Sequence, residues 1–252
     1  MSKLDTYTLA NRPSASINAG LMIFRTDTNN FEVSDGTDWQ TYISDGSFHV
    51  YSNNSYSAQF DGTDDVVDIS SLTLGDEFSY SAWFKFTGTA TFQPIIASGT
   101  QPNVQTFFSI NSSTDLNFGS RSSNYDMISY SGLSSNTWYH AVGTLDSSAN
   151  GKLYLNGLQV GSLAMQTPSS TAKSQLAIGE SKRVSSHFGG FIDEVAIFNR
   201  ALTASEVSEI YNNKSYLNFQ AMYRFENNFN DEGGVYNGTQ SGGVSFSTDK
   251  PY

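Results

Sequence analysis

The residues best suited to chemistry are carboxylates. "FIDEVAI" sets Asp193 beside Glu194, and "DGTDDVVDI" holds Asp61, Asp64, Asp65 and Asp68. Two carboxyl groups ~5 Å apart can cleave a glycosidic bond with retention, and two ~6.5–9.5 Å apart with inversion. Side chains alternate between the faces of a strand, so adjacent Asp193 and Glu194 are expected on opposite sides. The positions that would share a face with Asp193, at 191, 195 and 197, are Phe, Val and Ile. Asp64 and Asp68 share a face, but four strand residues separate them by ~13 Å. No acid–nucleophile pair follows. His49, His140 and His187 show no i,i+2 or i,i+4 pairing that would suit zinc. Cysteine is absent, which removes thiolates and disulfides, and no Ser-centred elbow motif occurs.

The elements that position these groups read as β-strands. From Phe48 onward short alternating segments follow one another, with Gly, Ser, Asn and Asp between them. In "FSYSAWFKF", Phe78, Tyr80, Ala82, Phe84 and Phe86 form one apolar face, and Trp83 points to the other. In "LYLNGLQV", Asn156-Gly157 suits a type I′ hairpin turn, because both residues tolerate positive φ. Many antiparallel strands at this spacing mean a sandwich or jelly roll. One helix interrupts the pattern, starting near residue 204. Thr203 and Glu206 form a capping box, Leu202 and Val207 a hydrophobic staple, and Val207, Ile210 and Tyr211 a one-sided stripe. About ten residues of helix are marginal alone, so this one must dock.

Residues 1–47 differ from the rest. Strands are expected over 21–26 and 30–34, with a turn at Asp35-Gly36 before Trp39 and Tyr42. So few strands cannot bury a core alone. Leu21, Ile23, Phe24, Phe31, Val33, Trp39 and Tyr42 are the apolar groups needing cover. With Leu21 and Ile23 on one face and Phe24 on the other, both faces call for partners: symmetry copies or another protein.

Composition narrows the function classes. The net charge is −11, only 15% of residues are charged, and no Lys/Arg run occurs. Nucleic acid and anionic membranes are therefore excluded as expected partners. No run of ~18 apolar residues exists that could span a bilayer.

Three stretches resemble the concanavalin A-like, or laminin-G-like, jelly roll of lectins, pentraxins and many adhesins. They are "SYSAQFDGTDDVVDI", "NTWYHAVGTLDSSANGKLYLNGLQVGS" and "GFIDEVAIFNRALTASEVSEIYN", in the family's order. The resemblance implies an all-β concanavalin A-like antiparallel jelly-roll sandwich over residues 48–252, with one short helix in its C-terminal half. "MYRFENNFNDEGGVYNGTQSGGVSFS" departs from the family in lying after the helix rather than opening the domain. Segment 219–252 is therefore expected to close the same jelly roll. Within residues 1–47, "LANRPSASINAGLMIFRTDTNNFEVSDGTDWQTY" resembles the short N-terminal module of tailed-phage fibre and head-decoration proteins. This implies a bacteriophage virion structural protein made in the host cytoplasm, with capsid or tail proteins as partners, a trimer by analogy with fibres, and host polysaccharide as ligand. The rival readings are a host-encoded carbohydrate-binding module without a virion role and a glycan-degrading enzyme.

The resemblance also implies a structural calcium ion in some members. The matching positions here are Asp193, Asp231 and Asn237, with Asp61 as a more distant fourth. Calcium takes six to eight oxygens, which carboxylates and amides supply. For sugar binding on this fold, Tyr125, Tyr130 and Trp138 are candidates by residue type, although Trp138 within "WYHAV" also reads as core.

Overall fold

The computed structural model describes residues 6–7, 13–14, 22–25, 30–34, 39–42, 54–87, 91–99, 105–111, 114–121, 125–169, 173–182, 185–214, 216 and 218–252. The chain divides into two compact units, Met1–Asn53 and Asn54–Tyr252. The first contains β1 (Thr6–Tyr7), β2 (Met22–Arg25), β3 (Asn30–Ser34) and β4 (Trp39–Tyr42), hydrogen-bonded in that order. β1 runs parallel to β2, and the other two pairings are antiparallel. Ile23 is buried. Leu21 lies outside the described residues. Phe24, Phe31, Val33, Trp39 and Tyr42 have strand backbones whose side chains are not described.

The second unit continues with β5 (Ser57–Asp61), β6 (Val66–Asp68), β7 (Phe78–Phe86), β8 (Phe92–Ala97), β9 (Gln105–Asn111), β10 (Asp115–Arg121) and β11 (Tyr125–Tyr130). Next come β12 (Tyr139–Leu145), β13 (Asn150–Leu155), β14 (Leu158–Ala164), β15 (Ala177–Ile178), β16 (Glu180–Ser181), β17 (Ser186–His187) and β18 (Gly189–Phe198). The helix α1 (Ala204–Asn213) follows, then β19 (Ala221–Tyr223), β20 (Thr239–Ser241) and β21 (Ser245–Ser247). Two large antiparallel sheets result, and β16 and β17 pair separately as a two-stranded ribbon. One has the order β11-β10-β9-β8-β15-β6-β20, the other β14-β13-β12-β7-β18-β5-β21, with β19 added to β18. The segment after α1 therefore contributes strands to both sheets. Since each sheet is hydrophobic on its inner face, the pair closes as a sandwich.

Alternation builds the core as the sequence implies. Phe78, Tyr80, Ala82, Phe84 and Phe86 of β7 join Phe108, Leu116 and Phe118 of the facing sheet in one cluster. Contact between the sheets is close enough that a Cβ on Gly143 of β12 would stand 2.3 Å from the Phe118 ring. Each fully buried Phe contributes ~1.5–3 kcal/mol of transfer free energy. The Tyr80 hydroxyl, buried in this layer, is satisfied by Thr106 Oγ1 at 2.7 Å. The Asn156-Gly157 turn takes φ of 48° and 81°, as a type I′ turn requires.

The other face of the eight-stranded sheet carries α1. Thr203 Oγ1 accepts from Glu206 N at 3.3 Å, and Glu206 Oε2 accepts from Thr203 N at 2.8 Å. Val207 and Ile210 are buried, and Tyr211 stacks on Trp83 at 5.7 Å and 22°. Lys214 ends the helix in the left-handed region, φ 54°.

Candidate functional site

The acidic pair on β18 departs from the alternation expected of it. Asp193 pairs with Trp83 of β7 and Ala196 with Ser81, so β18 holds one extra residue there. This is a β-bulge, and Glu194 takes φ 47°, uncommon for a residue with a Cβ. The bulge returns Ile192, Val195 and Ile197 to the core and turns both carboxylates to the other side. Asp193 and Glu194 therefore share a face, contrary to the period-2 expectation. They are not an accessible catalytic pair, because both are fully buried. Asp193 Oδ2 accepts from Asn54 Nδ2 at 2.8 Å, and Oδ1 from Glu194 N at 2.8 Å. Glu194 Oε1 accepts from Arg224 Nε at 3.0 Å, and the Tyr252 side chain interacts with the same carboxyl group.

Burial pushes the Asp193 carboxyl well above the usual carboxylate range, and the Glu194 charge adds to the rise. Burial raises Glu194 too, but the Arg224 guanidinium opposes it. Of the two, Glu194 is the one with a cation hydrogen-bonded to it among the described residues. Nearby His140 is buried, with Nε2 3.0 Å from Ser81 Oγ. Burial, aided by the charge on Lys214, lowers its pKa to about 3, so it is a neutral structural residue. Asp64 and Asp68 do not pair either: Asp64 lies in an exposed turn, and Asp68 is bound to Lys182.

The four calcium candidates do not gather at one point. Asp193 is held by Asn54. Asp231 and Asn237 meet in the loop after β19, where Asn237 Oδ1 accepts from Asp231 N at 3.0 Å. The two Asp231 oxygens already accept from four backbone groups, those of Met222, Gly233, Val235 and Tyr236. They organise the loop rather than face an open site. Asp61 stands with Asp64 and Asp65, and one oxygen of each lies within 4.8 Å of the others. Asp193, Asp231, Asn237 and Asp61 are thus held by different partners rather than brought together in one coordination shell.

The aromatic candidates also separate. Tyr125 and Tyr130 stand five residues apart on β11 and so face opposite ways. Tyr130 packs against the core cluster, whereas Tyr125 is 48% exposed on the outer face. Trp138 is half-buried rather than core. It lies 6.4 Å from Phe191 on the outer side of the eight-stranded sheet, and its Nε1 donates to Asp249 Oδ1 at 2.9 Å. The same carboxylate binds Lys85, which sits 4.5 Å from the Phe191 ring centroid.

Tyr125 is held as a plate. Its ring stacks on the fully buried Phe107 at 5.4 Å and 17°, and its hydroxyl points to Met127 Sδ at 3.5 Å. Between Phe107 and Met127 on the sheet lies Gly119. A Cβ there would meet Asp126 O at 2.3 Å and Phe107 Cζ at 2.7 Å, so only glycine leaves room for the Phe107 ring. Ser109, Asn117 and Ser129 form the adjoining row on the same face, and Ser129 Oγ donates to Asn117 Oδ1. The residue types alone named Tyr125 but missed Phe107, Gly119 and Ser129. The available signal was the alternation of "TFFSINSS" against "DLNFGS", which becomes usable only when the strand pairing is known.

Residues 61–208 match the family described as the concanavalin A-like lectin/glucanases superfamily, of laminin G type. The chain belongs to this superfamily. Solved structures share the fold of this chain. A putative carbohydrate-binding protein from Bacteroides ovatus aligns with a TM-score of 0.60 and 15% identity, over 88% of this chain and 74% of that one. A heptameric SAP-like pentraxin from Limulus polyphemus aligns with a TM-score of 0.59 and 16% identity, over 77% and 94%. The CBM40 of the Ruminococcus gnavus IT-sialidase, bound to α2,3-sialyllactose, gives 0.54 and 13%, over 61% and 96%. At these identities the likeness is one of fold. No curated protein matches the chain.

Proposed function

We propose that this chain is a non-catalytic, lectin-like adhesion protein that binds saccharide at Tyr125 and is carried on a tailed-phage particle through its N-terminal unit. The observation that carries the binding role is the Tyr125 ring, 48% exposed on the outer face of the sheet and stacked on Phe107. Flat apolar faces beside fixed polar groups suit sugar rings, whose C–H faces are apolar and whose edges are hydroxyls. A non-catalytic role is supported by the burial of Asp193 and Glu194. The carbohydrate-binding proteins among the structural relatives add to this reading.

The virion role rests on the resemblance of residues 1–47 to phage attachment modules. It implies a homo-oligomer, with a trimer favoured. The relatives described as carbohydrate-binding favour a second reading, a carbohydrate-binding module without a virion role. Two experiments test the proposal. Depletion of the protein from solution by a panel of bacterial cell-wall and capsular polysaccharides tests binding. Western blotting of gradient-purified particles tests the virion role: a band in the particle fraction supports it, and its absence leaves the module reading.

A further inference from the structure

Residues from neighbouring segments stand in one row across the outer face of the eight-stranded sheet. Phe191 of β18 pairs with Lys85 of β7 on one side and with Gln59 of β5 on the other. Trp138 directly precedes Tyr139 of β12, which pairs with Phe84, so it falls beside Lys85. At ~4.8 Å per strand, the row from Trp138 through Lys85 and Phe191 to Gln59 spans ~14 Å, enough for a sugar ring and its substituents.

This row already holds a carboxylate. Lys85 Nζ lies 4.5 Å from the Phe191 ring centroid and 5.6 Å from that of Trp138, between two aromatic side chains. One Asp249 oxygen pairs with Lys85, and the other accepts from Trp138 Nε1 at 2.9 Å. The Asp249 backbone carbonyl accepts from Ser57 Oγ at 2.6 Å. Asp249 is the less buried partner, with its side chain 41% exposed against 11% for Lys85. It follows β21, which stands at the edge of the sheet and pairs with β5. The acceptor therefore enters from the margin, whereas the ammonium and the indole N–H are fixed in the row.

A sugar carboxylate matches the same donors. Its two oxygens would take the places of the Asp249 oxygens, and its ring C–H face would lie along the aromatic side chains. The exposed Gln59 amide, at the end of the row, both donates to and accepts from hydroxyls. The net charge of −11 repels an acidic ligand from afar, but salt screens that repulsion within ~8 Å at physiological ionic strength. The charge that such a ligand touches is Lys85.

We propose that Trp138, Lys85, Phe191 and Gln59 form a site for a carboxylate-bearing sugar, and that Asp249 masks it from within the chain. While Asp249 stays in place the site is closed. It lies on the sheet opposite Tyr125, and the inference does not rest on the saccharide-binding reading of that residue.

The full chain and its Asp249→Ala variant are titrated calorimetrically at physiological salt with methyl glucuronide and methyl glucoside, in which a carboxylate replaces a hydroxymethyl group. Unmasking should tighten methyl glucuronide binding at least ~10-fold over wild type and leave methyl glucoside as it was. Adding Lys85→Gln to Asp249→Ala should remove the gain, and adding Tyr125→Ala should not. The indole N–H proton resonance of Trp138, assigned with Trp138→Phe, should move in Asp249→Ala and move again as methyl glucuronide binds. Asp249→Asn keeps an acceptor for the indole and removes only the charge, so it reads the same gain if Asp249→Ala does not fold. No gain in a folded Asp249 variant, an equal gain for methyl glucoside, or a gain that survives Lys85→Gln would overturn the inference and leave the Tyr125 reading standing. A gain lost with Tyr125→Ala would place the acidic sugar at Tyr125 and overturn the inference as well.

Discussion

Arg224 is the sole cation hydrogen-bonded to Glu194 among the described residues, and both side chains are almost fully buried. Replacing Arg224 with Leu leaves a buried carboxylate without its hydrogen-bonded cation. Breaking a buried pair from one side costs ~3–5 kcal/mol, a large part of an ordinary domain's ~5–15 kcal/mol. For a domain of this size each kcal/mol lowers Tm by ~2–4 °C, so the loss should be roughly 6–20 °C at pH 7. The deficit must also depend on pH. Burial already raises the Glu194 carboxyl, and removing Arg224 raises it further. A carboxyl whose folded pKa lies above its unfolded value keeps its stability at low pH and loses it as pH rises through the folded value. The variant should therefore approach wild type in acid and fall away toward neutral pH. Adding Glu194→Gln to Arg224→Leu removes the orphaned charge and should recover most of the loss. Thermal unfolding by circular dichroism from pH 4 to pH 8 reads all three proteins. A loss below about 1 kcal/mol, the value of a solvent-exposed pair, or no recovery in the double variant, would refute the buried-pair account.

Asp193→Asn should flatten the pH dependence of wild-type stability. The raised Asp193 pKa means that stability present in acid is lost as pH rises, so the substitution should raise Tm most at the alkaline end of the same scan. Gly119→Ala should push Phe107 and Tyr125 from their places, cost ~1–3 kcal/mol by overpacking, and weaken saccharide binding, read by urea unfolding and calorimetry. Thr203→Ala should cost ~0.5–2 kcal/mol through loss of the helix cap, and equal denaturation midpoints for variant and wild type would contradict the cap's role.

Local signals carried much of the fold. The Thr203–Glu206 capping box, the Asn156-Gly157 turn and the outward Trp83 depend only on neighbours in sequence, and each stands where the pattern implies. The bulge at Glu194 was not legible, because it puts a non-glycine residue at positive φ and no turn residue marks it. That one extra residue reversed the expected relation of Asp193 to Glu194. The aromatic face was legible in part. Tyr125 is exposed as its type suggests, but the plate needs Phe107 and Gly119, which only the pairing of β9 and β10 brings together. The calcium candidates came from positions far apart in the chain, and the paths of the loops decide that Asp231 is spent on its own turn.

The most direct test of the account compares wild type with Tyr125→Ala on the same polysaccharide, by depletion and calorimetry, with Trp138→Phe as a control on the opposite sheet. Truncating an aromatic at the centre of a contact costs ~2 kcal/mol or more. The account predicts that Tyr125→Ala keeps the wild-type Tm within a few degrees and loses at least ~30-fold in affinity, while Trp138→Phe binds as wild type does. Undiminished binding by a folded Tyr125→Ala would contradict it.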